Sequence, residues 1–112
     1  MALKRYKPFN RISARRLASM QEKKELIQKD HDFFMEIWEE RDGRCEVTGE
    51  FLGEPLSTMF HHLLPKADYP QYRYCKWNIL LVKPDIHAMI ESDISKVPMA
   101  QTKTRELLQL WS

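Results

Sequence analysis

The sequence predicts an α+β domain in which a long N-terminal helix and a C-terminal helix bracket two short strands and a short helix. Three observations predict it. Leu17, Met20, Ile27, Phe34 and Trp38 recur at helical spacing. After Gly43 the texture changes, with Gly49, Gly53 and Pro55 punctuating short segments. Two apolar segments then flank a loop rich in Pro and Tyr. A chain of 112 residues has room for one modest core and not for two.

Residues 1–12 include Pro8 and several cations without a clear period, and read as an extended arm. Ser13 suits the N-cap of a helix from about Ala14 to Arg41, stopped by Asp42-Gly43. Leu26, Phe33 and Ile37 widen its core-facing stripe, and a break near Lys29-Asp30-His31 is allowed. Ser57–Leu64 has the β-branched and aromatic content of a strand, ended by Pro65. Residues 65–76 form a loop, and Trp77–Val82 is a second, strongly apolar strand. Pro84 fits the first turn of a helix to about Glu91. An amphipathic helix from about Met99 to Leu110 closes the chain, offering Leu107, Leu108 and Trp111 for docking. Trp38 and Trp77 read as core or docking residues, whereas Tyr69, Tyr72 and Tyr74 suit either a cleft wall or stacking on bases.

Composition narrows the classes. No apolar run approaches the roughly 20 residues needed to span a bilayer, and the basic start has no apolar stretch behind it, so no membrane partner and a cytoplasmic address are expected. Cys45 and Cys75 are too few for a disulfide scaffold or a four-cysteine zinc cluster and read as small hydrophobes. Net charge is only +2, but eight cations stand against Glu22 alone in residues 1–24, a net +7 that leaves −5 for the remainder. A basic arm carrying Arg5, Lys7, Arg11, Arg15 and Arg16 with Tyr6 and Phe9 suits a polyanion backbone, and equally a solvated tail.

The chemistry-bearing residues are His61, His62, Asn78 and His87. Phosphodiester hydrolysis needs a water made basic, charge neutralisation on phosphate and stabilisation of the leaving oxygen. Strand alternation points His61 and His62 to opposite faces unless the backbone bends before Pro65. One imidazole can then bind metal while the other faces a water. His87 and Glu91 are four apart on one helix and make an adequate two-ligand pair for a divalent ion. The Asn78 carboxamide can accept from an imidazole N–H and so select which nitrogen acts as base. Singly each residue has an ordinary reading, as an incidental His pair, a surface histidine or a strand-initiating polar group.

Together, Cys45-Glu46-Val47-Thr48-Gly49, Phe60-His61-His62-Leu63-Leu64-Pro65-Lys66, Arg73-Tyr74, Asn78-Ile79-Leu80-Leu81-Val82 and Pro84-Asp85-Ile86-His87 resemble the HNH endonucleases. These belong to the ββα-metal superfamily, which includes the nuclease domains of colicins. The resemblance covers about residues 41–92. It implies a two-stranded antiparallel hairpin plus short helix, within a single nuclease domain over 13–112 that has its motif at 44–92 and its last helix at 98–111. It further implies that His62 is the general base, that His61 and His87 hold the metal with Glu91 near it, and that Asn78 orients His62. Arg73 is implied as a phosphate contact. Lys66 joins it as a candidate, although it reads well as a solvated loop charge.

Many family members carry two Cys-x-x-Cys knuckles around a structural zinc. Here Cys45 is paired with Thr48, and Lys83 and Ile86 stand at the second pair of positions, so no knuckle is expected and apolar packing must hold the fold. The expected cofactor is one divalent ion: Mg2+ or Mn2+, with Zn2+ or Ni2+ also accommodated by a histidine site. The expected activity is metal-dependent endonucleolytic cleavage, with double-stranded DNA as the expected partner and with monomer and dimer both open. The rival readings are a catalytically inactive HNH-like nucleic-acid-binding subunit of a larger complex and a metal-binding interaction domain. Family analogy alone suggests a phage or mobile-element setting.

Overall fold

The computed structural model describes residues 13–111, so the arm bearing Arg5, Lys7 and Arg11 lies outside the described residues. Among the described residues three α-helices and one two-stranded antiparallel sheet make an α+β structure. Helix α1 is Ala14–Glu40, strand β1 Phe60–His62, strand β2 Ile79–Leu81, helix α2 Pro84–Ser92 and helix α3 Pro98–Trp111. Among the described residues no helix is long and apolar enough to cross a membrane.

The helix boundaries follow from capping. The Ser13 hydroxyl accepts from the Arg16 backbone N–H at 3.1 Å, the N-cap arrangement that satisfies an orphan donor of α1. At the other end Asp42 and Gly43 take positive φ of 53° and 59°, and the Gly43 N–H closes onto the Trp38 carbonyl at 3.0 Å. A side chain at 43 would meet the Trp38 ring at 2.7 Å, so glycine serves both the turn and the packing.

The chain divides into two compact units between Asp30 and His31. In the first, residues 14–30 of α1 are helical without a break, and Leu17, Met20, Leu26 and Ile27 are exposed. The expectation that they face a core is corrected. Helical spacing shows which residues share a face, but burial also requires a surface to cover that face.

In the second unit the hairpin separates two apolar clusters. Phe60 pairs with Leu81, His61 with Leu80 and His62 with Ile79. Alternation sends Phe60, Ile79 and Leu81 to one face, where they pack with Met59 and with Phe33 and Ile37 of α1. Leu80 faces the other way and joins Leu63, Val82, Cys45, Ile90, Val97 and Ala100. Thus α2 and the start of α3 cover one face and the last turns of α1 the other. Ile86 packs onto the cluster containing Cys45. Both cysteines are free thiols. Leu107 of α3 packs on this cluster, whereas Leu108 is exposed. The side chain of Trp111 lies outside what is described.

Both strands are shorter than the sequence predicts. Ser57–Met59 and Lys76–Asn78 wind as single 3-10 turns before three-residue strands. Among the described residues each strand has one β partner, and the ladder extends by one bond at each end, Leu63 N–H to the Asn78 carbonyl and Val82 N–H to the Met59 carbonyl, both 2.8 Å. The outer edge of β2 is capped by the turn after α1. Arg41 Nη1 donates to the Ile79 carbonyl at 2.6 Å and to Glu46 Oε2 at 2.8 Å, and Glu46 Oε2 accepts the Leu81 N–H at 2.6 Å. With the Glu46 backbone N–H, which donates to the Leu81 carbonyl at 2.8 Å, these side chains stand in for a third strand along the edge.

Candidate metal centre and its flanking histidine

Three ligand-bearing side chains converge where β1 meets α2. His61 projects from β1 on the Leu80 side, toward α2, and its ring centroid lies 5.1 Å from that of His87 at an interplanar angle of 68°. Glu91, one turn beyond His87, places Oε1 3.0 Å from His87 Nε2. One ligand atom from each of His61, His87 and Glu91 lies within 4.8 Å of the others. Both histidines are half-buried and Glu91 is exposed, so the site opens to solvent on its carboxylate side.

The hydrogen bonding selects the nitrogens. His87 Nδ1 faces the Thr58 carbonyl oxygen, which can only accept, so Nδ1 carries the proton. In the neutral ring Nε2 therefore presents a lone pair to the Glu91 carboxylate. Two acceptors at 3.0 Å need a proton or a cation between them. A backbone carbonyl behind an imidazole is also the usual way a ligating histidine is oriented. Burial, reinforced by His87, pushes the His61 pKa down to about 4 against the opposing pull of Glu91. That ring is neutral near pH 7 and offers a lone pair. Two imidazoles and a carboxylate are a donor set that fits a divalent ion.

His62 lies on the opposite face of β1, as strand alternation requires. Its ring centroid is 6.2 Å from that of Phe34, in an edge-on arrangement. Its Nε2 meets the Arg73 carbonyl at 3.1 Å, and an acceptor-only partner again assigns the proton to Nε2, leaving Nδ1 as the basic nitrogen.

Asn78 does not do what the sequence reading expects. Its side chain is fully buried, and Oδ1 accepts the Leu64 N–H at 2.7 Å while Nδ2 donates to the carbonyls of Leu64 at 3.1 Å and Tyr72 at 3.2 Å. The carboxamide imitates a peptide group, continuing the hairpin beyond His62 and tying down the loop. The His62 ring is oriented instead by the Arg73 carbonyl, one residue past the carbonyl that Asn78 holds. Asn78 therefore acts on the backbone of Leu64 and Tyr72 and not on the ring.

The candidate phosphate contacts are dispersed. Arg73 contributes its backbone to His62, and its guanidinium carbon lies 5.7 Å from the Tyr74 ring centroid. Lys66 is exposed just after Pro65. Arg15 and Arg16 are exposed on the first turn of α1, in the unit that ends at Asp30. Sequence reasoning missed Thr58 and the backbone role of Arg73, because a carbonyl oxygen carries no residue-type signature. Comparisons with family models, curated proteins and solved structures find no match to this chain.

Proposed function

We propose that the protein is a metal-dependent endonuclease of the HNH type, with the hairpin and α2 forming a ββα-metal core and DNA as its substrate. The observation that carries this reading is the convergence of His61, His87 and Glu91 within 4.8 Å, on the hairpin and helix that also present His62. His61, His87 and Glu91 would hold a single divalent ion. When bound, such an ion supplies Lewis-acid stabilisation of charge on the phosphate and the departing oxygen.

The chain's own residues supply the remaining steps. His62 Nδ1 takes a proton from the attacking water, and the positive charge that develops on the ring is stabilised through Nε2–H on the Arg73 carbonyl. Thr58 holds the tautomer of His87, and Asn78 fixes the backbone from which the Arg73 carbonyl projects. Exposed Lys66 and the Arg73 side chain, with the basic residues before and within α1, supply contacts to the phosphate backbone whose strength falls as salt rises.

The decisive experiment is nicking of supercoiled plasmid with Mg2+, Mn2+, Ni2+ or Zn2+ beside a His62→Ala control. The expected result is metal-dependent cutting by the wild type and none above background by the variant. Equal rates for the two proteins, or cutting that survives a chelator, would overturn the reading.

A further inference from the structure

Resting on the nuclease reading, we propose that Phe34 of α1 is a positioning residue for His62, so that a helix outside the hairpin and α2 builds part of the seat of the general base. The ring of Phe34 lies against two side chains of β1. It stacks on Phe60 with centroids 4.4 Å apart at an interplanar angle of 5°, and it meets the His62 ring at 6.2 Å and 62°. Phe60 and His62 are two apart on β1 and so project from one face, about 6.6 Å from each other along the strand. A single benzene ring spans that interval, flat on the first neighbour and inclined to the second.

The helix places Phe34 for this contact. One residue earlier, Phe33 is buried with Ile37 against the sheet face that carries Phe60, Ile79 and Leu81. A step of one residue turns a helix by about 100°, so Phe34 comes to the margin of that cluster, half-buried, where His62 is half-buried too. Its own orientation is set by the stack on buried Phe60 and by Phe33, whose ring centroid is 6.1 Å away. A ring packed against two neighbours is a fixed wall.

What the wall does follows from how an imidazole moves. The bond from Nε2 to the Arg73 carbonyl holds one point of the His62 ring. An adjacent ring restrains its plane, opposing the rotation about Cβ–Cγ that exchanges the positions of Nδ1 and Cδ2. That rotation carries the basic nitrogen away from its side of the site and breaks the Nε2 bond that selects the tautomer. Phe34 packs on the Phe60 face of β1, whereas His61 projects from the other face toward α2, so the contact acts on the base and not on the ligand cluster. A tilted aromatic pair is favourable enough to bias an equilibrium roughly two- to tenfold.

The first test needs neither metal nor DNA: the full chain, isotopically labelled, in EDTA. Proton–nitrogen correlation spectra at about pH 8.5, where a histidine is ordinarily neutral, read the tautomer of the His62 ring. In the wild type the Nε2–H form should predominate, and cross-relaxation should link the Phe34 ring protons to the His62 ring. Phe34→Leu should lower the ratio of Nε2–H to Nδ1–H forms by roughly two- to tenfold, while Phe34→Tyr, which keeps the ring, stays within about twofold of wild type. Ile37→Val, a packing loss in the same cluster, should leave the ratio unchanged. In plasmid nicking with Mn2+, kcat of Phe34→Leu should fall by a similar factor at unchanged KM and unchanged Mn2+ affinity. A wild-type ratio in Phe34→Leu, an equal change in Ile37→Val, or no cross-relaxation between the two rings in the wild type would overturn the role of Phe34, and the last of these requires no variant to fold. A tautomer change in a protein that cuts no DNA sinks the nuclease reading alone, whereas cutting with the tautomer indifferent to Phe34 sinks the positioning role alone.

Discussion

The imidazole of His62 donates through Nε2 to the backbone carbonyl of Arg73 at 3.1 Å, across eleven residues of sequence. The bond does for His62 what the Thr58 carbonyl does for His87. Each fixes one nitrogen as donor, Nε2 in His62 and Nδ1 in His87. His62→Gln keeps a side-chain N–H able to reach the carbonyl and removes the basic nitrogen. The expected outcome is an unchanged melting temperature with metal-dependent cleavage reduced by about 10²- to 10⁴-fold, the contribution of a positioned general base. A rate within a few-fold of wild type would transfer the role to another group.

Metal affinity should follow the cluster and not the flanking histidine. In titration calorimetry with Mn2+ or Zn2+, His61→Ala and His87→Ala should each lose at least the roughly 10- to 100-fold that loss of an outer hydrogen-bond partner costs a metal site. Glu91→Gln should lose less, since Glu91 is exposed and its carbonyl oxygen can still coordinate. His62→Gln should bind as wild type. Wild-type affinity in His87→Ala would rule out this cluster.

Asn78 is the buried polar residue whose three side-chain bonds hold Leu64 and Tyr72. Asn78→Ala leaves buried backbone groups of Leu64 without partners, and each such group costs about 1–3 kcal/mol. A loss of about 2–4 kcal/mol in urea unfolding is expected. Asn78→Asp should be no better, because a carboxylate can accept the Leu64 N–H but cannot donate to either carbonyl. If both variants unfolded at the wild-type urea concentration, the clamp would be irrelevant to stability.

The sequence made much of this architecture legible, and what it hid has a physical reason. Ser13, Asp42-Gly43 and Pro84 mark helix ends through side-chain or backbone preferences belonging to single residues, and the helices begin and end there. The His87 and Glu91 pair was readable because helical geometry alone brings positions four apart together. Partners defined by the tertiary path were not. The Arg73 and Thr58 carbonyls could belong to any residue type, and Asn78 serves the backbone although its carboxamide is equally able to accept from an imidazole. The apolar residues of the first half of α1 have helical spacing and yet stay exposed, since period reports a face and not its cover.

Gly43 joins two costs in one substitution. An alanine there must hold φ near +59° and put its Cβ 2.7 Å from the Trp38 ring. Left-handed backbone costs an L-residue about 1–2 kcal/mol and overpacking about 1–3 kcal/mol, so Gly43→Ala should destabilise by about 2–5 kcal/mol. Pairing it with Trp38→Leu separates the two: the double variant should recover the overpacking part, relative to Trp38→Leu alone. A Gly43→Ala protein as stable as wild type would show that the turn relaxes at no cost.

The depressed pKa of His61 gives the metal-free protein a pH dependence whose sign can be worked out. Burial and then His87 disfavour the charged ring, moving its pKa from 6.5 in the unfolded chain to about 4 in the folded one. Between those values the unfolded chain binds the proton and the folded protein does not, so stability rises with pH across that window. The His61 contribution is fully present above about pH 6.5, declines as pH falls, and levels off below about pH 4. Replacing His61 by Gln removes the titration while retaining a polar side chain of similar reach. In chelator, the drop in melting temperature between pH 7 and pH 4.5 should therefore be larger for wild type than for His61→Gln. The difference between the two curves reports His61 together with the His87 and Glu91 side chains it interacts with. Parallel curves would mean that the folded protein accepts a proton on this ring as readily as the unfolded chain does. The ring would then be too well solvated for burial to hold it neutral.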